Sequence, residues 1–243
     1  MQILGVIPAR LASTRLPDKV LRDIAGKPLV VRVYEAAKRC PQLTDVVIAT
    51  DAQVVVDACR RFGADAMMTS PRHQSGSDRL FEVLEARPAD VYVNIQGDEP
   101  LLRPEHVSAL VDPFLAGGGE IQVTTLKVAI SDEEAADPNV VKVITDTSGR
   151  AIYFSRLPIP YDRDGRGVQR FKHQGLYAYR RDALAKFHSL EATPLQLTEC
   201  LEQLKLLENG MPIHVYETPF DTVGVDTEQD LERVRRIFEG MTA

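Results

Sequence analysis

Short apolar runs alternate with helix-like segments through the first half of the chain, and this order limits the possible folds more than any other feature. The apolar runs lie at residues 3–7, 46–49, 66–68 and 91–95, and helical patterns lie at 28–39, 52–62, 77–85 and 104–115. Such alternation predicts the α/β class, with a mostly parallel, doubly wound sheet.

The pattern changes near Ser131. Short strands are predicted at 140–145, 151–154 and 176–179, and we interpret residues 131–190 as a small antiparallel layer inserted in the same domain. A helix at 195–209, a strand at 213–216 and a final helix at 227–238 are predicted to follow. Because the 243 residues contain no repeat or linker, we expect one domain spanning residues 1–243.

A basic loop follows the first apolar run. It carries Arg10, Arg15 and Lys19, and loops at the ends of such strands are where α/β proteins bind ligands. Arginine offers a planar fork to phosphate oxygens, and lysine offers a compact charge. Because the glycines of Walker and Rossmann loops are missing, the loop predicts a triphosphate site built from side chains.

Two aspartates are candidate metal ligands. Asp98 follows a predicted buried strand, where a carboxylate is well placed to hold Mg²⁺ against a nucleotide phosphate, although residues 97–100 also suit a plain turn. Asp226 would be a second ligand if the apolar step before it lies beside that strand. Asp226 or Thr227 could instead cap the last helix, and both roles are compatible if Thr227 supplies the cap.

The segment before the third predicted helix is ambiguous. Free N–H groups near Ser75 could meet a base or sugar edge, and Arg72 and Arg79 add positive charge. A plain capped loop explains the same residues equally well.

Three polar residues further along are ambiguous too. His173 precedes a predicted strand, and a lone histidine is more often structural than functional. Glu202 and Gln203 fall within the predicted helix at 195–209, where a glutamate usually faces solvent.

Composition narrows the functional class. The hydrophobic fraction is 44%, the charged fraction 26% and the formal net charge −6, which is ordinary for a soluble enzyme and argues against nucleic acid as the main partner. No run is long enough to span a membrane, and from the first residues we expect no secretion leader. The three cysteines are scattered, so we expect buried, reduced thiols in the cytoplasm rather than a zinc site.

Six motifs resemble, in order, those of the cytidylyltransferases that activate eight- and nine-carbon acidic sugars. The resemblance is strongest to the 3-deoxy-manno-octulosonate (Kdo) cytidylyltransferase family, and it covers nearly the whole chain. The motifs are residues 7–17 (IPARLASTRLP), 73–79 (HQSGSDR), 96–100 (QGDEP), 153–156 (YFSR), 201–204 (LEQL) and 224–227 (GVDT). The first is shared in part by other nucleotidyltransferases, whereas the ordered set is specific.

The resemblance implies a nucleotide-diphospho-sugar transferase-like domain that transfers CMP from CTP to Kdo, giving CMP-Kdo and pyrophosphate for lipopolysaccharide biosynthesis. It also implies Mg²⁺ as cofactor and a cytoplasmic homodimer, with the insertion at 131–190 contributing to the sugar site and the dimer. Implied nucleotide contacts are Ala9, Arg10, Arg15, Lys19, Arg72, Gln74 and Ser75. Implied sugar contacts are Gln96, Arg156, His173, Glu202 and Gln203. Implied metal ligands are Asp98 and Asp226, which with Lys19 form the catalytic set.

Two alternatives stay open: a cytidylyltransferase for 8-amino-Kdo or a sialic acid, and a non-catalytic nucleotide-sugar sensor. The sequence also departs from the family at two positions. Asp18 replaces the usual glycine, and a carboxylate there would weaken CTP binding unless it points away or pairs with a cation. Gln174 stands where an apolar residue is commoner.

Overall fold

The computed structural model describes residues 1–13, 15–73, 75–117 and 119–242. The chain divides into two compact units. Unit 1 is Met1–Ser108 with Thr222–Ala243, and unit 2 is Ala109–Asp221. The predicted insertion at 131–190 lies within unit 2, which extends beyond it at both ends.

Unit 1 contains a parallel sheet in the order β6-β1-β4-β5. The strands of this sheet are β1 (Ile3–Pro8), β4 (Asp45–Thr50), β5 (Ala66–Met68) and β6 (Val91–Asn94). Unit 1 also contains a small separate antiparallel pair, formed by β2 (Asp23–Ile24) and β3 (Lys27–Pro28). Val6 at the centre of β1 lies opposite Val47 on one side and Asn94 on the other. All four predicted strands of the first half are confirmed. The near-continuous burial of β1, β4 and β6 is typical of parallel strands covered on both faces, whereas the edge strand β5 is only partly buried.

Unit 2 is mostly antiparallel. Its strands are β7 (Val123–Ile130), β8 (Lys142–Thr145), β9 (Ala151–Ser155), β10 (Arg170–Arg180) and β11 (His214–Glu217). β10 pairs antiparallel with β7 and β8, β8 pairs antiparallel with β9, and β11 runs parallel to β7. The predicted antiparallel layer is therefore confirmed, together with the α/β class.

Strand β7 was not predicted, because its apolar run is interrupted by two threonines. Both are buried, and each hydroxyl is satisfied by a carbonyl oxygen: Thr124 Oγ1 donates to Leu110 over 2.8 Å and Thr125 Oγ1 to Leu176 over 2.8 Å. A hydroxyl with a hydrogen-bond partner is tolerated in a core. The two polar threonines therefore hid from the sequence analysis that this strand is buried.

The helices follow the predicted order with some additions. They are α1 (Leu29–Lys38), α2 (Gln53–Arg61), α3 (Gly76–Ala86), α4 (Pro104–Leu115), α5 (Asp132–Ala136), α6 (Arg181–Ser189), α7 (Pro194–Glu199), α8 (Leu204–Glu208) and α9 (Glu228–Thr242). The first four match helices predicted at 28–39, 52–62, 77–85 and 104–115, and α9 matches the last one. Within the described ranges, none of the helices combines the length and the apolarity that crossing a membrane requires.

The predicted helix at 195–209 is wrong. Two short helices, α7 and α8, take its place, because Cys200 adopts a left-handed backbone with φ of 54° and ends the first of them. Glu202 and Gln203 consequently lie in the turn between the helices rather than in the middle of one. The same turn leaves Cys200 exposed, contrary to the expectation of buried thiols, whereas Cys40 and Cys59 are buried as expected.

Candidate functional site

The basic loop after β1 is anchored in the core at two points, near its start at Ala9 and further along at Leu16. The N–H of Ala9 donates to the carbonyl oxygen of Ala49 over 2.8 Å, so the loop begins beside β4. Leu16 then packs in a buried cluster with Ile24, Leu29, Val225, Leu231 and Val234. Arg15 and Lys19 flank this anchor, which carries both side chains to the segment around residue 225.

Asp98 is placed by a tight turn after β6. The N–H of Ile95 donates to the carbonyl oxygen of Val6 over 2.9 Å, which holds the start of the turn against β1. Gly97 passes so close to β1 that a Cβ atom there would lie 2.5 Å from the carbonyl oxygen of Pro8. Only glycine allows this approach, so Gly97 positions Asp98, a role that the sequence analysis missed.

Asp226 is positioned by a backbone hydrogen bond, and the neighbouring Thr227, not Asp226, caps the last helix. The N–H of Val225 donates to the carbonyl oxygen of Asp98 over 2.9 Å, so the two acidic segments run side by side. Thr227 caps α9: its Oγ1 accepts the N–H of Asp230 over 3.2 Å, and Asp230 Oδ2 accepts the N–H of Thr227 over 2.9 Å. Helix capping and metal binding were predicted to be compatible if Thr227 supplies the cap. Thr227 does supply it, and the side chain of Asp226 points elsewhere.

Lys19 is the point where both carboxylates meet. Its Nζ lies 2.6 Å from Asp98 Oδ2 and 3.0 Å from Asp226 Oδ1, and Arg15 Nη2 also lies 3.0 Å from Asp226 Oδ1. Burial would lower the pKa of Lys19, but the charges and hydrogen bonds of Asp98 and Asp226 outweigh it and raise that pKa. The structure thus brings together four predicted site residues and keeps the ammonium charged.

The loop before α3 is a capped loop. Ser75 Oγ accepts the N–H of Asp78 over 3.1 Å, and Asp78 Oδ2 accepts the N–H of Ser75 over 3.2 Å, which completes a capping box. Arg72 is exposed, and the predicted contact Gln74 lies outside the described residues. The cap satisfies two N–H groups and leaves the nucleotide role of this loop a prediction.

Arg79 differs from the other cations of this region because only 3% of it is exposed. Its guanidinium reaches Thr69 Oγ1 at 2.5 Å and Asp51 Oδ2 at 3.1 Å. The sequence analysis missed Asp51, although its signal resembled that of Asp98: an aspartate shortly after the end of a buried strand.

His173, in unit 2, is enclosed by aromatic rings. Its Nε2 lies 3.0 Å from Thr125 Oγ1, and its ring lies 4.9 Å from Phe154 and 5.4 Å from Tyr177 between centroids. Burial lowers the pKa of His173 to about 3, so the ring is neutral at physiological pH. It can exchange hydrogen bonds with a ligand but offers no positive charge.

Arg156 is tied to the backbone of unit 2. Its Nε donates to the carbonyl oxygen of Glu199 over 2.9 Å and its Nη1 to that of Pro138 over 3.1 Å. Lys142, fully buried, donates to the carbonyl oxygen of Arg156 over 2.6 Å. In this arrangement Arg156 organises its own segment, and a sugar carboxylate would have to share or replace these bonds.

The remaining predicted sugar contacts belong to different units of the chain. Gln96 is half-buried in unit 1, in the turn that carries Asp98. Glu202 is exposed and Gln203 is buried in the turn between α7 and α8 of unit 2.

The two departures from the family have structural explanations. Asp18 adopts a left-handed backbone with φ of 51°, a conformation that favours glycine and that aspartate tolerates, and it is exposed. Gln174 is buried, and its Nε2 donates to the carbonyl oxygen of Phe220 over 2.8 Å. Its buried amide is therefore used to hold the end of unit 2.

The sequence matches the family model described as cytidylyltransferase over residues 4–213. A 3-deoxy-manno-octulosonate cytidylyltransferase from Koribacter versatilis (strain Ellin345) is 53% identical over 238 residues, covering 98% of this chain and 90% of the relative. A protein of the same name from Acidobacterium capsulatum is also 53% identical over 238 residues, covering 98% of this chain and 96% of the relative.

Two solved structures resemble the chain to different degrees. A CMP:2-keto-3-deoxy-manno-octonic acid synthetase complexed with CTP has a TM-score of 0.95 at 43% identity, covering 99% of this chain and 100% of that one. A cytidylyltransferase from Leptospira borgpetersenii has a TM-score of 0.64 at 17% identity, covering 99% and 87%, which shows a shared fold alone.

Proposed function

The chain belongs to the 3-deoxy-manno-octulosonate cytidylyltransferase family, and we propose that it transfers CMP from CTP to Kdo and releases pyrophosphate. Residues 1–243 would act as one nucleotidyltransferase domain. The observation that carries the proposal is the convergence of Asp98 and Asp226 on Lys19, at the end of a loop rich in positive charge. Two neighbouring carboxylates can bind a metal ion, and the cations beside them can bind the phosphate groups that accompany it.

The basic loop supplies the phosphate-binding charges. Arg15 has a side chain that is 66% exposed, and Arg10 is exposed at the start of the loop, so both are accessible to phosphate oxygens. Lys19 is paired with two carboxylates, and it is proposed to bind a phosphate group when the nucleotide enters. Ala9, Arg72, Gln74 and Ser75 are proposed to complete the nucleotide contacts.

Mg²⁺ fits the donor set, and Asp98 with Asp226 would hold it. Both carboxylates already reach one cation, the Lys19 ammonium, at 2.6 and 3.0 Å. Among the residues that the structure describes, no three or more His, Cys, Asp or Glu side chains form a metal-binding group. A cation with two carboxylates and otherwise phosphate and water ligands is the usual environment of Mg²⁺. When bound, it would neutralise phosphate charge and make the attacking hydroxyl more acidic.

The reaction exchanges one P–O bond for another. The anomeric oxygen of Kdo bonds to the α-phosphorus, the bond from that phosphorus to the bridging oxygen breaks, pyrophosphate leaves, and the hydroxyl proton passes to solvent. Lys19 and Arg15 neutralise charge on the leaving pyrophosphate, so the chain contributes mainly positioning and electrostatic stabilisation.

The acceptor contacts are proposed from the family resemblance. In unit 2, the neutral ring of His173 and the polar turn holding Glu202 and Gln203 offer hydrogen bonds to sugar hydroxyls. Arg156 is proposed to meet the sugar carboxylate. Gln96 is proposed as an acceptor contact of unit 1.

Pyrophosphate release tests the proposal directly. CTP and Mg²⁺ are incubated with Kdo, 8-amino-Kdo or N-acetylneuraminate, and Kdo-dependent release is expected. Release with another acid would keep the nucleotide half and overturn the acceptor. Binding of CTP by the folded protein without release with any acid would identify a sensor.

We also propose a cytoplasmic homodimer that supplies lipopolysaccharide biosynthesis. Unit 2 carries large apolar side chains at its surface, among them Leu157, 69% exposed, and Tyr161, 86% exposed. Sedimentation should give a dimer for the wild type and a monomer for Leu157→Asp.

The cytoplasmic part of the proposal is supported by two buried cysteines. Burial raises the pKa of Cys40 and Cys59 to about 11, which fits unreactive thiols in a reducing compartment.

A further inference from the structure

One ion pair in unit 1 joins two segments that are proposed to contact the nucleotide. Asp51, directly after β4, accepts the N–H of Leu11 on Oδ1 over 3.0 Å and meets Arg79 Nη2 on Oδ2 at 3.1 Å. Leu11 belongs to the basic loop, next to Arg10. Arg79 belongs to the first turns of α3, four residues after the cap Ser75.

Both charges are withdrawn from solvent. The side chains of Arg79 and Asp51 are 4% and 18% exposed, and the second donor of Arg79 is used on Thr69 Oγ1 at 2.5 Å. A planar guanidinium that fills two acceptors fixes both their distance and their angle, which a lysine ammonium does not. A buried ion pair often adds little net stability over an apolar pair, so its value to the protein lies more in geometry than in stability.

We propose that Asp51 and Arg79 are positioning residues: through the carboxylate of Asp51, Arg79 fixes the backbone of Leu11 and with it the path of the basic loop. The inference rests on the proposed nucleotide role of that loop. In this proposal neither residue contacts the substrate. Each acts through the loop backbone, so loss of the pair should affect CTP and leave Kdo almost unaffected.

Arg79→Lys and Asp51→Asn test the pair. The lysine keeps the charge but cannot hold Thr69 and Asp51 together, and the asparagine keeps an acceptor for Leu11 but places an amide donor against Arg79. The matched control is Arg87→Lys, which alters another Arg–Asp pair at the C-terminal end of the same helix: Arg87 Nη1 lies 2.7 Å from Asp65 Oδ2.

We expect the KM for CTP to rise roughly 10- to 100-fold in both test variants, with the KM for Kdo within about threefold of wild type. Amide hydrogen exchange at Leu11, followed by NMR, should accelerate in both variants and stay unchanged in Arg87→Lys. The Ala9 amide, bonded to a β4 carbonyl, is the internal reference.

Wild-type exchange at Leu11 together with a wild-type KM for CTP would overturn the inference, as would equal increases of both KM values in the test and control variants. The exchange measurement needs no turnover. If the wild type used no CTP, the proposed function would fail, while exchange at Leu11 would still decide whether the pair holds the loop.

Discussion

Nζ of Lys19 lies 2.6 Å from Oδ2 of Asp98, so an internal cation already occupies a carboxylate that we propose as a Mg²⁺ ligand. The same ammonium lies 3.0 Å from Asp226 Oδ1. Two carboxylates that converge on one cation can accept another cation in its place. We therefore expect a metal ion bound to both carboxylates to compete with Lys19 for them, which would make the ammonium available to phosphate.

Lys19→Ala should have opposite effects on metal and nucleotide. Without the ammonium, two neighbouring carboxylates lose their main counter-charge, so Mg²⁺ alone should raise the Tm of the variant more than that of the wild type. The KM for CTP should rise roughly 10- to 100-fold, because a hydrogen bond from a charged group contributes about 1.5–3 kcal/mol. Thermal unfolding with and without Mg²⁺, and steady-state kinetics, measure the two effects.

The control for Lys19→Ala is Lys27→Ala, which breaks a surface ion pair with Glu35 on α1. It should change neither the Mg²⁺ response nor the KM for CTP. Identical Mg²⁺ responses in Lys19→Ala and the wild type would contradict the idea that the ammonium and the metal compete.

Asp98→Asn should lower turnover by roughly 10²-fold or more at saturating Mg²⁺, by analogy with loss of one preorganised electrostatic group. The asparagine is nearly isosteric, so the fold should persist and the Tm should change little. Asp18→Asn is the matched control, because Asp18 is an exposed carboxylate of the neighbouring loop and asparagine tolerates its left-handed backbone. Near-normal turnover of Asp98→Asn would remove Asp98 from the proposed metal site.

Gly97→Ala should damage both stability and turnover. The new Cβ would lie 2.5 Å from the carbonyl oxygen of Pro8, and backbone must move to admit it. We expect a loss of about 1–3 kcal/mol in the free energy of unfolding, as for other overpacked sites, and a lower kcat because the Asp98 turn shifts.

Gly76→Ala provides the steric comparison for Gly97→Ala. A Cβ at position 76 would meet Pro8 Cγ at 3.7 Å, an ordinary contact. Denaturant unfolding and turnover should both stay close to wild type. A Gly97→Ala protein with wild-type stability would show that the turn is not constrained by β1.

Local patterns were sufficient to predict the parallel sheet of unit 1, because its strands are short apolar runs with helices between them. They failed where tertiary structure changes what a residue contributes. Thr124 and Thr125 read as polar, yet both lie in the buried strand β7. Cys200 carries no sequence signal for the left-handed backbone that ends α7.

For the candidate site, the sequence was sufficient to select residues but not to pair them. Arg15, Lys19, Asp98 and Asp226 come from three distant segments, and only the fold shows that they meet. Arg79 illustrates the converse: it reads as another available cation, but burial and Asp51 give it a different role.

His173 gives stability a pH dependence that can be measured. Burial lowers its pKa to about 3 in the folded protein, whereas an unfolded histidine titrates near 6.5. Between these values the unfolded chain binds the extra proton, so stability is complete above about pH 6.5 and is lost as the pH falls toward 3.

His173→Gln removes this titration and keeps a partner for Thr125 Oγ1. Between pH 7 and pH 5, the wild type should therefore lose about 1 kcal/mol more of its free energy of unfolding than the variant, which is less than the full linkage of about 2 kcal/mol because the ring keeps part of its surface. Urea unfolding at both pH values measures the difference. His188→Gln, on the exposed side of α6, should leave the wild-type pH dependence in place. Equal acid sensitivity of the wild type and His173→Gln would mean that the ring protonates freely in the fold, and a charged His173 would then become available to the sugar carboxylate.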